Sequence, residues 1–337
     1  MLNKQAKLSD NILTDAIEMK PTRDGFGLGS IEAGKKDERV VVLSADLAES
    51  VRAEWFQKEF PDRYIEVGVA EQNLATVAAG LANYGKIPFF TSYAAFSPGR
   101  NWEQIRTTIA LNDVPAKVCG MHAGVQTGPD GATHQMLEDI AIMRAMPNMI
   151  VVVPADSEEG RKATFEAAFN GKPTYLRFGR EKMPVMTTAE TPFKIGEAYY
   201  LWKPAFAQGS GEARPDVGII GCGPLLYEAL LAAKQLEEEG ISVSVLNSHT
   251  VKPLDEKAVI ELAETAGAIV TVEEHQVIGG LGGAVAECLA KHAPTPIEFI
   301  GMQNEFGQTG TAAELIKHYK LDAAAIAEAT KKVKNRK

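Results

Sequence analysis

Two histidines and an aspartate lie close together in one stretch of the sequence. His122 is followed by Asp130 and His134. The glycines between them are Gly124, Gly128 and Gly131. An imidazole can gain or lose a proton near neutral pH, and loops held by a rigid scaffold carry many binding and catalytic residues. The pattern therefore predicts a functional site in this glycine-rich loop.

A second candidate is Glu71, which follows a short apolar run and opens a predicted helix. Apolar residues recur after it at three- and four-residue spacing from Leu74 to Ala82, so Glu71 falls in the first helical turn. The helix dipole and the free backbone N–H groups favour a carboxylate there, which is a sufficient structural reason for a glutamate. Among apolar neighbours, however, its carboxyl group would also be desolvated and able to share a proton.

Strands and helices that alternate along the chain must position these residues. In the first half, apolar β-branched runs predict strands at 39–44, 64–67, 87–90, 116–121, 149–153 and 174–178. Amphipathic segments predict helices at 71–82, 101–111, 136–145 and 157–169, after a helix, a turn at 21–23 and a second helix within residues 1–34. This alternation predicts an α/β domain with a parallel sheet covered on both faces.

The pattern becomes irregular between residues 181 and 193, where prolines and threonines cluster. We therefore divide the chain into a first domain at 1–182, a linker at 183–195 and a second domain at 196–337. The second domain has predicted strands at 195–202, 217–220, 242–246, 268–272 and 296–300, helices at 224–238, 279–291 and from 322, and a polar loop at 208–215. The predicted fold class is two doubly wound α/β domains.

Composition excludes several classes of protein. Of the 337 residues, 45% are hydrophobic and 23% charged, and the net charge is -9, which argues against binding to nucleic acid or to an anionic membrane surface. The three cysteines are far apart and show no metal-binding spacing. No secretory signal or membrane-spanning apolar run is present in the sequence, so a cytoplasmic protein is expected.

Four stretches of the first domain carry a resemblance to a known family, and they are residues 65–73, 89–93, 121–122 and 128–135. Together they resemble the pyrimidine-binding domain of transketolase-type enzymes, which use thiamine diphosphate. The resemblance implies that residues 1–182 hold the pyrimidine end of the cofactor and that residues 196–337 form a transketolase-type C-terminal domain. It further implies that Glu71 is catalytic, because its carboxyl group would contact the aminopyrimidine ring.

The same resemblance assigns further cofactor and substrate positions. Phe90 and Tyr93 match the aromatic residues that hold the pyrimidine, although Ile87 stands where transketolases often carry another aromatic, and Asp46 matches a residue close to the cofactor. The positions that match residues contacting substrate hydroxyls, with both histidines assisting proton transfer, are His122, Asp130 and His134. The positions that match the phosphate-binding residues are Arg23, Ser50 and Arg180, with Arg177 as a rival to Arg180.

The resemblance also implies a partner protein. Thiamine diphosphate enzymes bind the cofactor's diphosphate and its Mg²⁺ through a domain that begins with Gly-Asp-Gly, and this sequence contains no such motif. We therefore expect no metal site in this chain and predict a separate N-terminal transketolase subunit that holds the diphosphate and the metal. A symmetric assembly with two copies of each subunit is expected, with this chain as a homodimer within a heterotetramer. The isolated chain should be inactive and should bind the cofactor poorly.

Our first interpretation is the C-terminal subunit of a transketolase, which moves a two-carbon ketol unit from a ketose phosphate to an aldose phosphate. Two related enzymes remain alternatives: a 1-deoxyxylulose-5-phosphate synthase, which condenses pyruvate with glyceraldehyde phosphate, and the β subunit of a 2-oxo acid dehydrogenase. The motif Ala70-Glu71-Gln72 fits the synthase equally well, whereas Thr133-His134-Gln135 favours transketolase. A noncatalytic α/β binding or regulatory subunit is the alternative from a different class, because fold alone does not fix function.

Overall fold

The computed structural model describes residues 1–204 and 214–336. Within them, the strands in chain order are β1 (Met19–Pro21), β2 (Val40–Ser44), β3 (Tyr64–Glu66), β4 (Ile87–Tyr93), β5 (Lys117–Met121), β6 (Ile150–Val152), β7 (Thr174–Arg177), β8 (Lys182–Pro184), β9 (Tyr199–Trp202), β10 (Val217–Gly221), β11 (Val243–Asn247), β12 (Thr250–Lys252), β13 (Ile269–Gln276) and β14 (Ile297–Met302). Most of the polar loop predicted at 208–215 lies outside the described residues, which resume at 214.

The α-helices of the described residues are α1 (Thr22–Lys36), α2 (Ala53–Glu59), α3 (Glu71–Asn83), α4 (Trp102–Gln104), α5 (Asp139–Arg144), α6 (Ser157–Phe169), α7 (Leu226–Glu238), α8 (Glu256–Ala266), α9 (Leu281–His292), α10 (Ala312–His318) and α11 (Ala323–Lys334). A π-helical segment, Ile105–Ala110, continues α4, and 3-10 turns form at Lys4–Ala6, Pro61–Arg63 and Val125–Asp130. No helix among the described residues is both long and apolar enough to cross a membrane.

The first sheet contains seven strands of the described chain, in the order β12-β6-β7-β5-β4-β2-β3. Neighbouring strands run parallel except at the β12 edge, where β12 is antiparallel to β6. Every residue of the central strands β2 and β5 is buried. Strands that are buried on both faces read as continuous apolar runs, which is why this parallel sheet could be predicted.

The second sheet contains five strands of the described chain, in the order β14-β13-β10-β11-β9. All neighbours are parallel except β9, which is antiparallel to β11. The prediction of a mixed α/β fold with parallel sheets is therefore confirmed.

Each half of the chain contains one segment that packs with the sheet of the other half. Strand β12, which follows β11 of the second sheet, leaves that sheet and pairs with β6 of the first, Thr250 opposite Val152. At the other end of the chain, Leu2 forms a bridge with Trp202 of β9, and Ile12 is buried in the core that surrounds the second sheet. Residues 1–17 thus pack with the second sheet, although the predicted bounds assign them to the first domain.

The helix predicted before the turn at 21–23 is wrong. That segment has only the 3-10 turn Lys4–Ala6, and β1 follows it in antiparallel pairing with β8. The physical reason is that the apolar side chains of this segment, such as Leu2 and Ile12, contact the core of the second sheet from non-helical backbone instead of from one helical face. The second predicted helix is present as α1, and it begins at Thr22, within the predicted turn.

Candidate active site

The candidate residues converge at the carboxyl ends of the parallel strands in the first sheet. The segments that follow β2, β3, β4 and β5 lie side by side there, because these strands are neighbours in the sheet. Glu71 opens α3 after β3, Tyr93 ends β4, and His122 immediately follows β5. The crevice beyond the carboxyl ends of the strands is where open α/β sheets bind their ligands.

Glu71 lies in the first turn of α3 with its side chain almost fully buried, at 2% exposure. Its Oε1 accepts a hydrogen bond of 3.2 Å from Ser92 Oγ, and its Oε2 accepts one of 2.6 Å from Arg100 Nη1. Asn101 Nδ2 donates to the Glu71 backbone oxygen at 2.8 Å. Both carboxylate oxygens and the backbone at this position are therefore held by donors from the end of β4 and from the segment that follows it.

Arg100 covers the outer side of the Glu71 carboxylate. The arginine side chain is 47% exposed, whereas the carboxylate that it contacts is 1% exposed. Its guanidinium carbon lies 4.6 Å from the centroid of the Phe96 ring, which is close enough for a cation–π interaction. Arg100 is therefore a functional candidate that the sequence reasoning missed.

An aromatic cluster joins the two histidines to the strand that carries Ser92. The ring centroids of Tyr93 and His122 are 4.0 Å apart, and those of Tyr93 and His134 are 6.1 Å apart with an edge-on geometry. Phe96 also contacts His134, at 5.3 Å between centroids. Ser92, which donates to Glu71, and Tyr93, which contacts both imidazoles, are adjacent in β4, so this strand links the predicted glutamate to both predicted histidines.

His122 is buried and is held in a left-handed backbone conformation with φ of 51°. Its Nε2 contacts Nη1 of Arg23, which also donates to the Ser50 backbone oxygen at 2.9 Å. Desolvation by burial, and secondarily the positive charge of Arg23, lower the pKa of His122 to about 3. The ring is thus neutral at pH 7. Because a guanidinium can only donate, the contact with Arg23 requires the ring proton on Nδ1, whereas donation from Nε2 to the Ser50 backbone oxygen, 3.3 Å away, would require it on Nε2. This Nδ1 is buried and has no hydrogen-bond partner within the described part of the chain.

Arg180 and Asp130 form an ion pair at the rim of the same loop. Arg180 Nη1 donates to Asp130 Oδ1 at 2.8 Å and to the Thr127 backbone oxygen at 3.2 Å, and the two charged side chains are 32% and 29% exposed. The rival arginine, Arg177, is 4% exposed and donates to Asp139 Oδ2 at 2.7 Å. Arg177 is therefore enclosed in the protein interior, and Arg180 is the arginine that a ligand can reach.

Comparison with protein families matches both halves of the chain. The family model described as transketolase, pyrimidine binding domain, matches residues 18–186, and the model described as transketolase, C-terminal domain, matches residues 210–326. This chain belongs to the transketolase family.

Individual members of the transketolase family match the chain over most of its length. A putative transketolase C-terminal section from Methanocaldococcus jannaschii is 42% identical over 312 residues, which cover 92% of this chain and 95% of that protein. A 6-deoxy-6-sulfo-D-fructose transketolase subunit from a Clostridium species is 39% identical over 307 residues, covering 91% and 92%. A solved structure described as a split gene transketolase, inactive beta4 tetramer, superposes with a TM-score of 0.85 at 40% identity, covering 94% of this chain and 98% of that one.

Members of the transketolase family depend on thiamine diphosphate, and the residues present here fit its pyrimidine end. The buried carboxylate of Glu71 would contact a ring nitrogen of the pyrimidine, and its outer partner, Arg100, is half exposed. Tyr93, which adjoins Ser92 in β4 and contacts both imidazoles, is half-buried, so part of its ring is open to a ligand. Within residues 1–204 and 214–336, no group of three or more His, Cys, Asp or Glu side chains is arranged to hold a metal ion.

Two residues predicted to hold the transketolase cofactor lie apart from this cluster. Phe90 is fully buried in the core beneath the sheet and presents no open ring face, and Ile87 is likewise buried. Asp46 is exposed at the end of β2 with φ of 58°, and its backbone N–H donates to Glu66 Oε1 at 2.7 Å. The assignments of Phe90 and Asp46 to the cofactor therefore stay predictions, and neither residue contacts the aromatic cluster.

Proposed function

We propose that this chain is the C-terminal subunit of a split transketolase that moves a two-carbon ketol unit from a ketose phosphate to an aldose phosphate. The observation that carries the proposal is the joining of buried Glu71, through Ser92 and Tyr93, to two imidazoles at the carboxyl ends of the first sheet. The names of its relatives support the split arrangement, because the chain covers nearly all of a protein named as a C-terminal section and of one named as a subunit.

Glu71 has the first proposed role in this reaction. Thiamine diphosphate, when bound, supplies the carbanion chemistry that breaks and forms the carbon–carbon bond. The carboxyl group of Glu71 hydrogen-bonds the aminopyrimidine and shares a proton with it, while Ser92 fixes the orientation of Oε1. Tyr93, Phe90 and Asp46 are the other proposed contacts of the cofactor.

The histidine loop, residues 122–135, is proposed to bind the sugar. A neutral His122 offers its Nδ1 proton to a substrate hydroxyl, and His134 and Asp130 complete the contacts with hydroxyl groups. Both histidines are also proposed to move protons during the reaction. The substrate phosphate is proposed to lie near Arg180, Arg23 and Ser50, since a guanidinium matches phosphate geometry and Arg180 is partly exposed.

The proposed partner is an N-terminal transketolase subunit that carries the diphosphate-binding domain and holds Mg²⁺ with the cofactor's phosphates. Two copies of each subunit are proposed to form the active heterotetramer. The proposed domain bounds are 1–182 and 196–337, joined by the linker at 183–195. The proposed compartment is the cytoplasm, which agrees with three buried thiols that are unpaired in the described chain, Cys119, Cys222 and Cys288.

Reconstitution of the two subunits tests this function. The purified chain is mixed with the N-terminal transketolase subunit from the same organism, thiamine diphosphate and Mg²⁺, and is assayed with a panel of ketose and aldose phosphates and with pyruvate as a competing donor. We expect ketol transfer only when both subunits are present. Turnover by this chain alone would contradict the split arrangement, and use of pyruvate without any ketose phosphate would favour the synthase.

A further inference from the structure

Two adjacent glutamates of β13, Glu273 and Glu274, are both buried, at 0% and 3% exposure. Side chains alternate along a strand, so the two carboxylates point to opposite faces of the second sheet. Glu273 accepts hydrogen bonds from the backbone N–H groups of Leu281 at 2.7 Å and Gly282 at 2.8 Å, at the start of α9. The hydrogen bonds of the Glu273 carboxylate thus stay within the second domain, whereas those of Glu274 cross to the first.

Glu274 binds Gln126, which lies in the histidine loop of the first domain. Oε1 of Glu274 accepts from the Gln126 backbone N–H at 2.7 Å, and Oε2 accepts from Gln126 Nε2 at 2.9 Å, so one carboxylate holds both the backbone and the side chain of this residue. Gln126 itself is 3% exposed. A Cβ at Gly124, where φ is 91°, would collide with the same carboxylate, so glycine is required for this close approach.

Arg177 of the first sheet also contacts Glu274, through the backbone of that residue. Arg177 Nη2 donates to the Glu274 backbone oxygen at 2.9 Å, and Arg177 is itself paired with Asp139. Burial, partly offset by Arg177 and the bonds to Gln126, raises the pKa of Glu274 to about 7. An ionisable group this deeply buried is costly, and an apolar side chain would fill the same space at lower cost unless the group has a specific task.

The hydrogen bonds around Gln126 lead directly to the candidate substrate residues. Thr127, the next residue, donates from Oγ1 to the backbone oxygen of His122, and its own backbone oxygen accepts from Arg180 at 3.2 Å. Further along the loop, Gln135 Nε2 donates to the Val125 oxygen at 3.2 Å. Fixing Gln126 therefore fixes the segment from which His122 and Arg180 are both held.

We infer that Glu274 is a positioning residue through which the second domain sets the geometry of the histidine loop. Its carboxylate keeps Gln126 in place, Gln126 keeps Thr127 in place, and Thr127 orients the backbone of His122. The second domain thereby contributes to sugar binding without touching the sugar. The inference rests on the proposed function for its catalytic consequence, although the contact itself does not.

The variants that test this inference use the adjacent glutamate as a matched control. Glu274→Leu removes both acceptors from the histidine loop, whereas Glu273→Leu removes two acceptors from α9 at equal burial. Glu274→Gln retains both bonds if the Gln126 amide turns over, since each amide has one donor and one acceptor group. Gln126→Ala removes only the side-chain half of the contact and serves if Glu274→Leu does not fold.

Hydrogen exchange of the isolated chain and kinetics of the reconstituted enzyme are the two measurements. We expect Glu274→Leu, or Gln126→Ala in its place, to speed exchange in residues 122–135 by about tenfold or more and to lower kcat/KM about tenfold or more, because misplaced substrate contacts are costly. Glu274→Gln should stay within about threefold of the unsubstituted chain in both measurements, and Glu273→Leu should change exchange near α9 but not in the histidine loop.

Equal effects of Glu273→Leu and Glu274→Leu on the histidine loop would overturn the inference, and so would unchanged exchange in residues 122–135 in both Glu274→Leu and Gln126→Ala. The exchange measurement needs no turnover. If the unsubstituted chain shows no transketolase activity with its partner, the proposed function fails, while faster exchange in the loop of Glu274→Leu still supports the role of Glu274 in holding it.

Discussion

Oε2 of Glu71 accepts a hydrogen bond of 2.6 Å from Nη1 of Arg100, although the carboxylate is 1% exposed and the arginine 47%. The pair therefore joins the interior of the first domain to its surface. A carboxylate enclosed in this way needs its donors, because an unpaired charge away from water is strongly unfavourable. Arg100 is thus the charged partner of the Glu71 carboxylate in the isolated chain.

Replacing Arg100 by Met should destabilise the isolated chain by about 1–3 kcal/mol, less than for a fully enclosed pair because the arginine is half exposed. Adding Glu71→Gln should recover most of this loss, since an amide leaves no unpaired charge. The midpoint of urea unfolding measures both effects. Additive losses in the double variant would show that the pair contributes nothing specific.

Glu71→Gln should lower kcat of the reconstituted enzyme by about 100-fold or more, because an amide cannot exchange a proton with the cofactor ring. The exposed glutamate Glu103 supplies the control, and Glu103→Gln should leave turnover unchanged. Circular dichroism of both variants checks that the fold persists. Near-normal turnover by Glu71→Gln would remove the proposed proton role.

Arg180→Ala should raise KM for phosphorylated sugars about tenfold or more and leave KM for unphosphorylated sugars nearly unchanged, because the loss of a charge-assisted hydrogen bond affects only the phosphate. Asp130, its partner at 2.8 Å, is partly exposed and stays solvated without it. Arg106→Ala, at another exposed arginine, is the control. Equal increases of KM for both kinds of sugar would contradict a phosphate role.

Arg177→Met should act on stability instead. It strands the buried carboxylate of Asp139, whose other partner, Tyr175, donates to it at 2.6 Å, and the expected loss is about 3–5 kcal/mol. Thermal unfolding measures this loss, and Asp139→Asn in the same chain should restore part of it. A variant that unfolds like the unsubstituted chain but has a raised KM for phosphates would restore Arg177 as the phosphate ligand.

His122 should make stability depend on pH below neutrality. Burial lowers its pKa from 6.5 to about 3, so between these values the unfolded chain binds a proton that the folded chain does not. The free energy of unfolding therefore falls as the pH drops below 6.5, by about 2 kcal/mol at pH 5 from this group.

The comparison of the unsubstituted chain with His122→Asn isolates this contribution to the pH dependence. Burial raises the pKa of Glu273 and Glu274 to about 7, which acts in the opposite direction, but these groups are common to both proteins and cancel in the difference. Urea unfolding at pH 7 and pH 5 should show a smaller decline in stability for His122→Asn. An identical decline in both proteins would refute the lowered pKa.

Local sequence patterns were sufficient to predict those helices and strands that are determined by nearby residues. The predicted helix at 157–169 matches α6, Ser157–Phe169, because Asp156 caps it by accepting from the Glu159 backbone N–H at 2.9 Å. The β-branched runs of the first sheet likewise gave its central strands. Helices α2, α8 and α10 were not predicted, although Asp255 and Gly267 mark the two ends of α8 with a capping side chain and a left-handed residue.

Contacts between distant parts of the chain could not be predicted from local patterns of residues. Gln126 and Glu274 are 148 residues apart, and no local spacing relates them. The choice between Arg177 and Arg180 depends on which one the folded chain encloses, and both occur within four residues of the same strand end. The pairing of Glu71 with Arg100 depends on the fold, because the segment after β4 passes beside the start of α3, which precedes β4 in the chain.

The pairing of β12 with β6 restricts where this chain can be divided into separate domains. Its residues lie beyond the linker, yet Lys252 pairs with Val151 and closes the edge of the first sheet. A fragment that stops at residue 195 would leave the amide and carbonyl groups of β6 bare, and such an edge invites strand addition between copies. The two halves of this chain are therefore expected to be inherited together. Neither half could be recombined into another protein without including part of the other.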